Sequence, residues 1–182
     1  DVAPEVVVFY GGNEGVLRAV NGNRGEPTAQ PIGGVGAGEE MWTFIAPEFY
    51  SHIKRLRDNT TPISFFGNTF EPPPTPLPKP YGFDGPITAY RDASTNTLWL
   101  YAALRRGGRS FYAFDASTID TNPSNVQVKW RKGCPNMTDD TGCSAGFTDI
   151  GQTWGAPVVM KAAGYSSGTA PLLIMGGGYD NC

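Results

Sequence analysis

Val6-Val7-Val8-Phe9-Tyr10-Gly11-Gly12-Asn13-Glu14-Gly15-Val16-Leu17-Arg18-Ala19-Val20-Asn21-Gly22 is the stretch on which the reading of this chain turns. A run of β-branched and aromatic residues meets Gly11 to Gly15, a cluster of turn formers that tolerates positive φ, and a second apolar run follows at once. The pattern predicts a β-hairpin. Asn21-Gly22 supplies a second turn, and beyond a glycine-rich gap Met41-Trp42-Thr43-Phe44-Ile45 is predicted as a third antiparallel strand.

The unit recurs, and repetition decides architecture. Thr97 to Tyr101 precedes the turn Arg105-Arg106-Gly107-Gly108-Arg109, and Ser110-Phe111-Tyr112-Ala113-Phe114-Asp115 then lies over the earlier Gly15 to Asn21. Val128-Lys129-Trp130-Arg131 takes the place of Met41-Trp42-Thr43-Phe44. Pro86 to Tyr90 offers a strand ahead of this second copy, Ala156 to Met160 one for a third, and Pro171-Leu172-Leu173-Ile174 runs into Met175-Gly176-Gly177-Gly178-Tyr179-Asp180. Uneven spacing does not suit a solenoid but suits propeller blades, which tolerate long rim loops. The predicted class is therefore all-β, a β-propeller with quinoprotein-like blades. It is an incomplete stretch of two to three blades at about 1–48, 81–133 and 150–182, with a helical and proline-rich insertion at about 47–80. An antiparallel sandwich is the alternative that the same short strands support. So few blades leave edges and faces uncovered, so the chain is expected to be a piece of something larger.

The net charge of −3, with both signs interspersed, gives no electrostatic footprint for nucleic acid. No apolar run is long enough to span a bilayer. Three cysteines are present. Cys134 and Cys143 bracket a short polar loop and are the disulfide candidates; a bond there is worth roughly 3 kcal/mol on the loop-entropy model and implies an oxidising compartment. Free thiols are the alternative. Zinc is disfavoured because the single histidine, His52, is distant and the cysteines lack short paired spacing. Cys182 is left unpaired within this chain.

In chain order, Gly25 to Glu40 reads as a rim loop, and its Gly33 to Gly38 run is no phosphate loop because the lysine and helix that should follow are missing. From Pro47 an amphipathic helix is predicted, with Phe49, Ile53 and Leu56 on one face packing on the sheet rim and Lys54, Arg55 and Arg57 elsewhere. Phe70 to Pro80 is read as an extended, stiff connector. Gly164-Tyr165-Ser166-Ser167-Gly168 matches the hydrolase nucleophile-elbow spacing, but a strand follows where a helix is required, so it is read as a hairpin tip. Trp42, Trp130 and Trp154 are read as packing residues rather than a carbohydrate platform. His52 is read as a surface residue without a catalytic role.

With the blades laid out, the sequence resembles the C-terminal propeller domain of the PilC/PilY family of type IV pilus tip-associated adhesin and assembly proteins. The resemblance rests on Tyr10 to Gly22, Gly38 to Pro47, Tyr81-Gly82-Phe83-Asp84-Gly85-Pro86, Arg106 to Asp115, Thr153-Trp154-Gly155-Ala156-Pro157 and Gly176 to Asp180. It implies an exported protein that reaches the pilus tip, outer membrane or cell surface through the periplasm. It also implies support of pilus extension together with minor pilins, and adhesion to a surface or host-cell receptor. Some members hold calcium in an Asp-x-Asp-x-Asp loop, which this chain lacks. Asp139, Asp140, Asp180 and Asn181 are the nearest candidates and are read as solvated loop residues. No metal ligand, cofactor or catalytic residue is therefore assigned within this segment, and calcium is an expectation for the full-length protein only. Two other functions share the blades: a quinoprotein-type dehydrogenase, whose adjacent cysteines are missing here, and an outer-membrane assembly scaffold.

Overall fold

The computed structural model describes residues 5–25, 31–64 and 75–179. Its strands are β1 (Val7–Gly11), β2 (Val16–Asn21), β3 (Glu40–Ile45), β4 (Ile87–Asp92), β5 (Thr97–Ala103), β6 (Arg109–Asp115), β7 (Gln127–Cys134), β8 (Val158–Lys161) and β9 (Pro171–Ile174). They form three antiparallel meanders, ordered β1-β2-β3, β4-β5-β6-β7 and β8-β9. Within each sheet every strand pairs with its neighbour in sequence, the economical connection for short turns. One helix, α1 (Tyr50–Asp58), follows a 3-10 turn at Pro47–Phe49.

The first two sheets repeat each other in detail. Ala19 pairs with Trp42 and Ala113 with Trp130, and in both sheets the register slips at the next residue, between Ala19 and Val20 and between Ala113 and Phe114. A small residue opposite an indole leaves room for the ring, and the bulge beside it bends the strand in the same place. Each copy then ends alike. Asn21 Oδ1 accepts the backbone N–H of Asn23 at 2.9 Å, and Asp115 Oδ1 accepts that of Ser117 at 3.1 Å. These are turns closed by a short polar side chain, which is why an amide or acid follows the apolar run in both.

The first two sheets pack face to face, and the linker after β7, with part of the third sheet, lies over the other face of the second. Between the first and second lies an aromatic layer in which Phe44 sits 5.0 Å from Phe114 and 5.4 Å from Tyr112, and Trp42 sits 5.2 Å from Phe114. Phe83 and Phe49 close its edge, 5.6 Å apart. Between the second and third, Phe111 meets Trp130 and Phe147, and the cluster reaches Ile150, Leu173 and Met175. β6 is thus covered on both faces, and every residue from Arg109 to Phe114 is buried. Double coverage explains why Phe111-Tyr112-Ala113-Phe114 shows no alternation of apolar and polar residues. A two-layer sandwich would leave one face of this sheet wet. The fold is that of an incomplete β-propeller, mostly sheet with one short helix, its three sheets not closed into a ring among the described residues.

Glycine sets how closely the turns approach. A Cβ on Gly107 would stand 1.8 Å from the carbonyl oxygen of Gly82, and one on Gly82 would stand 2.6 Å from that of Gly12. The glycine turns of the first two sheets therefore touch through the Tyr81 to Gly85 segment, backbone against backbone.

The helix departs from expectation. Of its predicted apolar face only Phe49 is buried, while Ile53 and Leu56 remain 39% and 38% exposed. Phe49 belongs to the 3-10 turn tucked against Gly15 and Phe83, and α1 then runs out beyond the core. It is held instead by Arg55, which donates to the carbonyls of Leu77 and Pro78 at 2.9 and 2.6 Å. Asn59 in the left-handed region ends it. No helix among the described residues is long and apolar enough to cross a membrane. The hairpin-tip reading of Gly164 to Gly168 holds, since β8 and β9 pair antiparallel on either side. Of the connector from Phe70 to Pro80, residues 70–74 lie outside the described residues, as do Asp180, Asn181 and Cys182.

Because Gly107 has no space for a methyl group, Gly107→Ala should cost about 1–3 kcal/mol in urea unfolding, as overpacking does. Gly164→Ala, where nothing lies within 4 Å, should change stability by less than about 0.5 kcal/mol. Equal effects would refute the close-approach account.

Candidate functional site

One rim of the molecule gathers the loops that join the sheets, and Arg105-Arg106-Gly107-Gly108-Arg109 lies at its centre. Its three arginines meet different partners. Arg109 opens β6 and is only 5% exposed. Its guanidinium donates to the carbonyls of Ile150 at 2.8 Å, Thr148 at 2.7 Å and Asp139 at 3.2 Å, and to Asp140 Oδ1 at 3.0 Å. A buried cation is tolerated when such a planar fork is filled, and here the fork ties the polar loop and the linker after it to the second sheet.

The same loop is closed covalently. Cys134, the last residue of β7, is disulfide-bonded to Cys143, with Cα atoms 4.0 Å apart. Asp139 Oδ1 accepts from Thr141 N–H at 2.8 Å and Asn136 Nδ2 at 2.9 Å, which holds its carboxyl below the ordinary range. Asp140 is engaged by Arg109. Cys134, Asp140 and Cys143 bring ligand atoms within 4.8 Å of one another, but the two sulfurs are bonded to each other, so the trio is a structural clasp.

Thr153 fastens the linker to the β5–β6 turn. Fully buried, its hydroxyl accepts the backbone N–H of Leu104 at 3.0 Å and of Arg105 at 3.3 Å, and donates to the carbonyl of Ser110 at 3.0 Å. A hydroxyl has one donor and two acceptor sites, and all three are used. The following residue is thereby turned outward. Trp154 is 40% exposed, and Arg105 lies over its ring at 4.4 Å from the centroid. Trp42 and Trp130 pack as predicted, whereas Trp154 does not, because the Thr153 clasp puts its side chain on the rim.

Arg106 makes the third arrangement. It grips Asp84 bidentately at 2.7 and 3.1 Å and covers the Tyr81 ring at 4.2 Å, where Lys79 also stands at 5.2 Å. Together with α1 these groups enclose a cleft of about 650 Å³, into which Leu77, Met137 and Gln152 also face. His52 lines it too. The expectation of a plain surface histidine is corrected: the ring stacks on Phe49 at 6.2 Å, and Nδ1 is cut off from solvent with no hydrogen-bond partner among the described residues. Burial, with Arg55 nearby, lowers its pKa.

A second clasp joins the first sheet's insertion to the second sheet. Tyr112 Oη donates to Glu48, whose other oxygen faces Arg131 at 3.4 Å. Burial, then the Glu48 bond, drives the Tyr112 pKa far up, so it stays a donor. Sequence reasoning found the cysteine pair and the arginine turn but missed Arg109, Thr153 and Glu48 as clasps. A lone Arg at a strand start and a lone Thr in a linker carry no local periodicity, and only their partners reveal them.

Arg109→Met would leave four acceptors unserved and should cost about 2–4 kcal/mol in denaturant unfolding. Replacing both Cys134 and Cys143 by Ser should cost roughly 3 kcal/mol. Since both act on one loop, the triple variant should lose less than the sum. Free thiols at both cysteines in the native, unreduced protein would contradict the clasp.

No protein-family model matches the chain. The type IV pilus biogenesis factor PilY1 homolog of Xylella fastidiosa (strain Temecula1 / ATCC 700964) is 25% identical over 174 residues, covering 94% of this chain and 10% of that protein. The chain thus spans about a tenth of the length of the curated relative it matches. Among solved structures, the C-terminal domain of Pseudomonas aeruginosa PilY1 aligns with 95% of this chain and 24% of its own, at 17% identity and a TM-score of 0.48. The chain is similar, along nearly its whole length, to part of a type IV pilus biogenesis factor, a PilY1 homolog.

Proposed function

We propose that this chain is a non-catalytic binding and assembly module within a longer type IV pilus biogenesis factor. In that role it supports pilus extension, and with it twitching motility and attachment to surfaces or host cells. Its partners are minor pilins and the pilus tip complex, with a surface or host-cell receptor as the adhesive target. Its place is the pilus tip, outer membrane or cell surface, reached through the periplasm. Calcium, if the protein uses it, is held by parts of the longer protein beyond this segment.

The observation that carries this reading is colinear similarity to a named pilus biogenesis factor across 94% of the chain. The Cys134–Cys143 bond supports it, because such bonds persist in oxidising compartments. The rim supports it as well, since its buried polar groups are spent on holding loops together, as recognition surfaces on rigid scaffolds require.

In-frame deletion of residues 5–179 from the full-length protein, with the remainder verified by immunoblot, should reduce surface pili at least tenfold by electron microscopy and abolish twitching. His52→Ala should leave both intact. Wild-type piliation after the deletion would overturn the proposal, and stoichiometric binding of a quinone cofactor by the purified protein would replace it with the dehydrogenase reading.

A further inference from the structure

The rim cleft has a chemistry that the pilus reading does not use. Its walls come from α1, the segment 77–81, the β5–β6 turn, the disulfide loop and the linker at Gln152 and Trp154, five stretches far apart in sequence. Its volume of about 650 Å³ lies within the range of roughly 300–1,000 Å³ typical of ligand sites. Its surface mixes apolar and aromatic groups, Leu77, Tyr81, Met137 and Trp154, with cations.

Charge fixes the kind of occupant. Arg55 and Lys79 line the cleft, and Arg105 stands at its edge on the ring of Trp154. Among the described residues, no carboxylate pairs with any of these three. No acidic residue lines the cleft, and Asp84 beside it is bound by Arg106. A chain of net charge −3 has thus gathered uncompensated positive charge on one aromatic concavity. The wall at Pro78 and Pro80 lacks backbone donors. Along that wall an anion is met by the side-chain cations rather than by the proline backbone. Tyr81 already carries Lys79 and Arg106 on its ring, which leaves little free aromatic face for a sugar to stack upon.

We infer that this cleft is a docking site for an acidic segment of a partner polypeptide, its carboxylates meeting Lys79 and Arg105 in the field of Arg55, whose guanidinium also holds the carbonyls of Leu77 and Pro78, and an apolar or aromatic side chain resting against Trp154 and Met137. The inference goes beyond the pilus reading and does not depend on it, because its test is binding by the purified protein.

The probe is a fluorescein-labelled peptide of alternating Glu and Phe, titrated by anisotropy, with the Gln-for-Glu peptide as control. The acidic peptide should bind at least tenfold more tightly than its Gln counterpart, and binding should weaken as salt is raised. Lys79→Gln combined with Arg105→Gln, neither side chain serving as a clasp, should weaken it at least tenfold without changing the unfolding midpoint. Should that variant be destabilised, Lys79→Glu alone should reverse the preference toward a Lys-for-Glu peptide. No binding at millimolar peptide, equal binding of the Gln peptide, or binding insensitive to these substitutions would overturn the proposal. So would displacement by sialyllactose or inorganic phosphate at concentrations matching the peptide, which would mark a small-anion site instead.

Discussion

Burial of β6 on both faces is the constraint from which the rest of the architecture follows. A strand with Tyr112 and Phe114 against the first sheet and Phe111 against Phe147 of the linker cannot present a polar face to water, so its neighbours must supply two apolar layers. The first sheet, with Trp42 and Phe44, supplies one. The disulfide loop, Ile150 and the third sheet supply the other. Because each layer is only as thick as the side chains between sheets, the turns at the ends must come together without side chains of their own. That is the role of Gly82 and Gly107, whose backbones meet where any Cβ would collide.

Close stacking leaves polar backbone groups at the loop-bearing end, where strands stop but burial does not. Arg109, Thr153 and Glu48 answer that need. Each reaches across to backbone or side-chain groups of a neighbouring element, and Arg109 and Thr153 use nearly all of their hydrogen-bonding capacity. An unpaired group at these depths costs about 1–3 kcal/mol, so the clasps fix the loops more firmly than exposed ion pairs would. The rigidity has a functional reading, because it holds Trp154, Arg105 and Tyr81 in place around an open cleft.

The strands were legible because their information is local. Gly11 to Gly15, and the Ala-bearing strand with its later Trp, repeat closely enough that both copies carry the same bulge and the same polar turn closure. The cysteine loop was legible from spacing. The helix was legible as a helix but not in its packing: periodicity placed Ile53 and Leu56 beside Phe49, yet α1 leaves the core after its first turn and hangs on Arg55. Trp154 was misread for a related reason, since its exposure is set by the hydroxyl of its neighbour, and that bond joins residues 49 positions apart. The cleft was invisible in sequence, because it exists only where five separate stretches converge.

Native-state hydrogen exchange measured residue by residue tests the central claim most directly. If β6 lies between two covering layers, the amides of Ser110 to Phe114 exchange only by global unfolding and are the slowest in the chain, while those of β1 and β9 at the sheet edges open more readily. Exchange of the β6 amides as fast as those of β1 or β9 would contradict the stacked-sheet account.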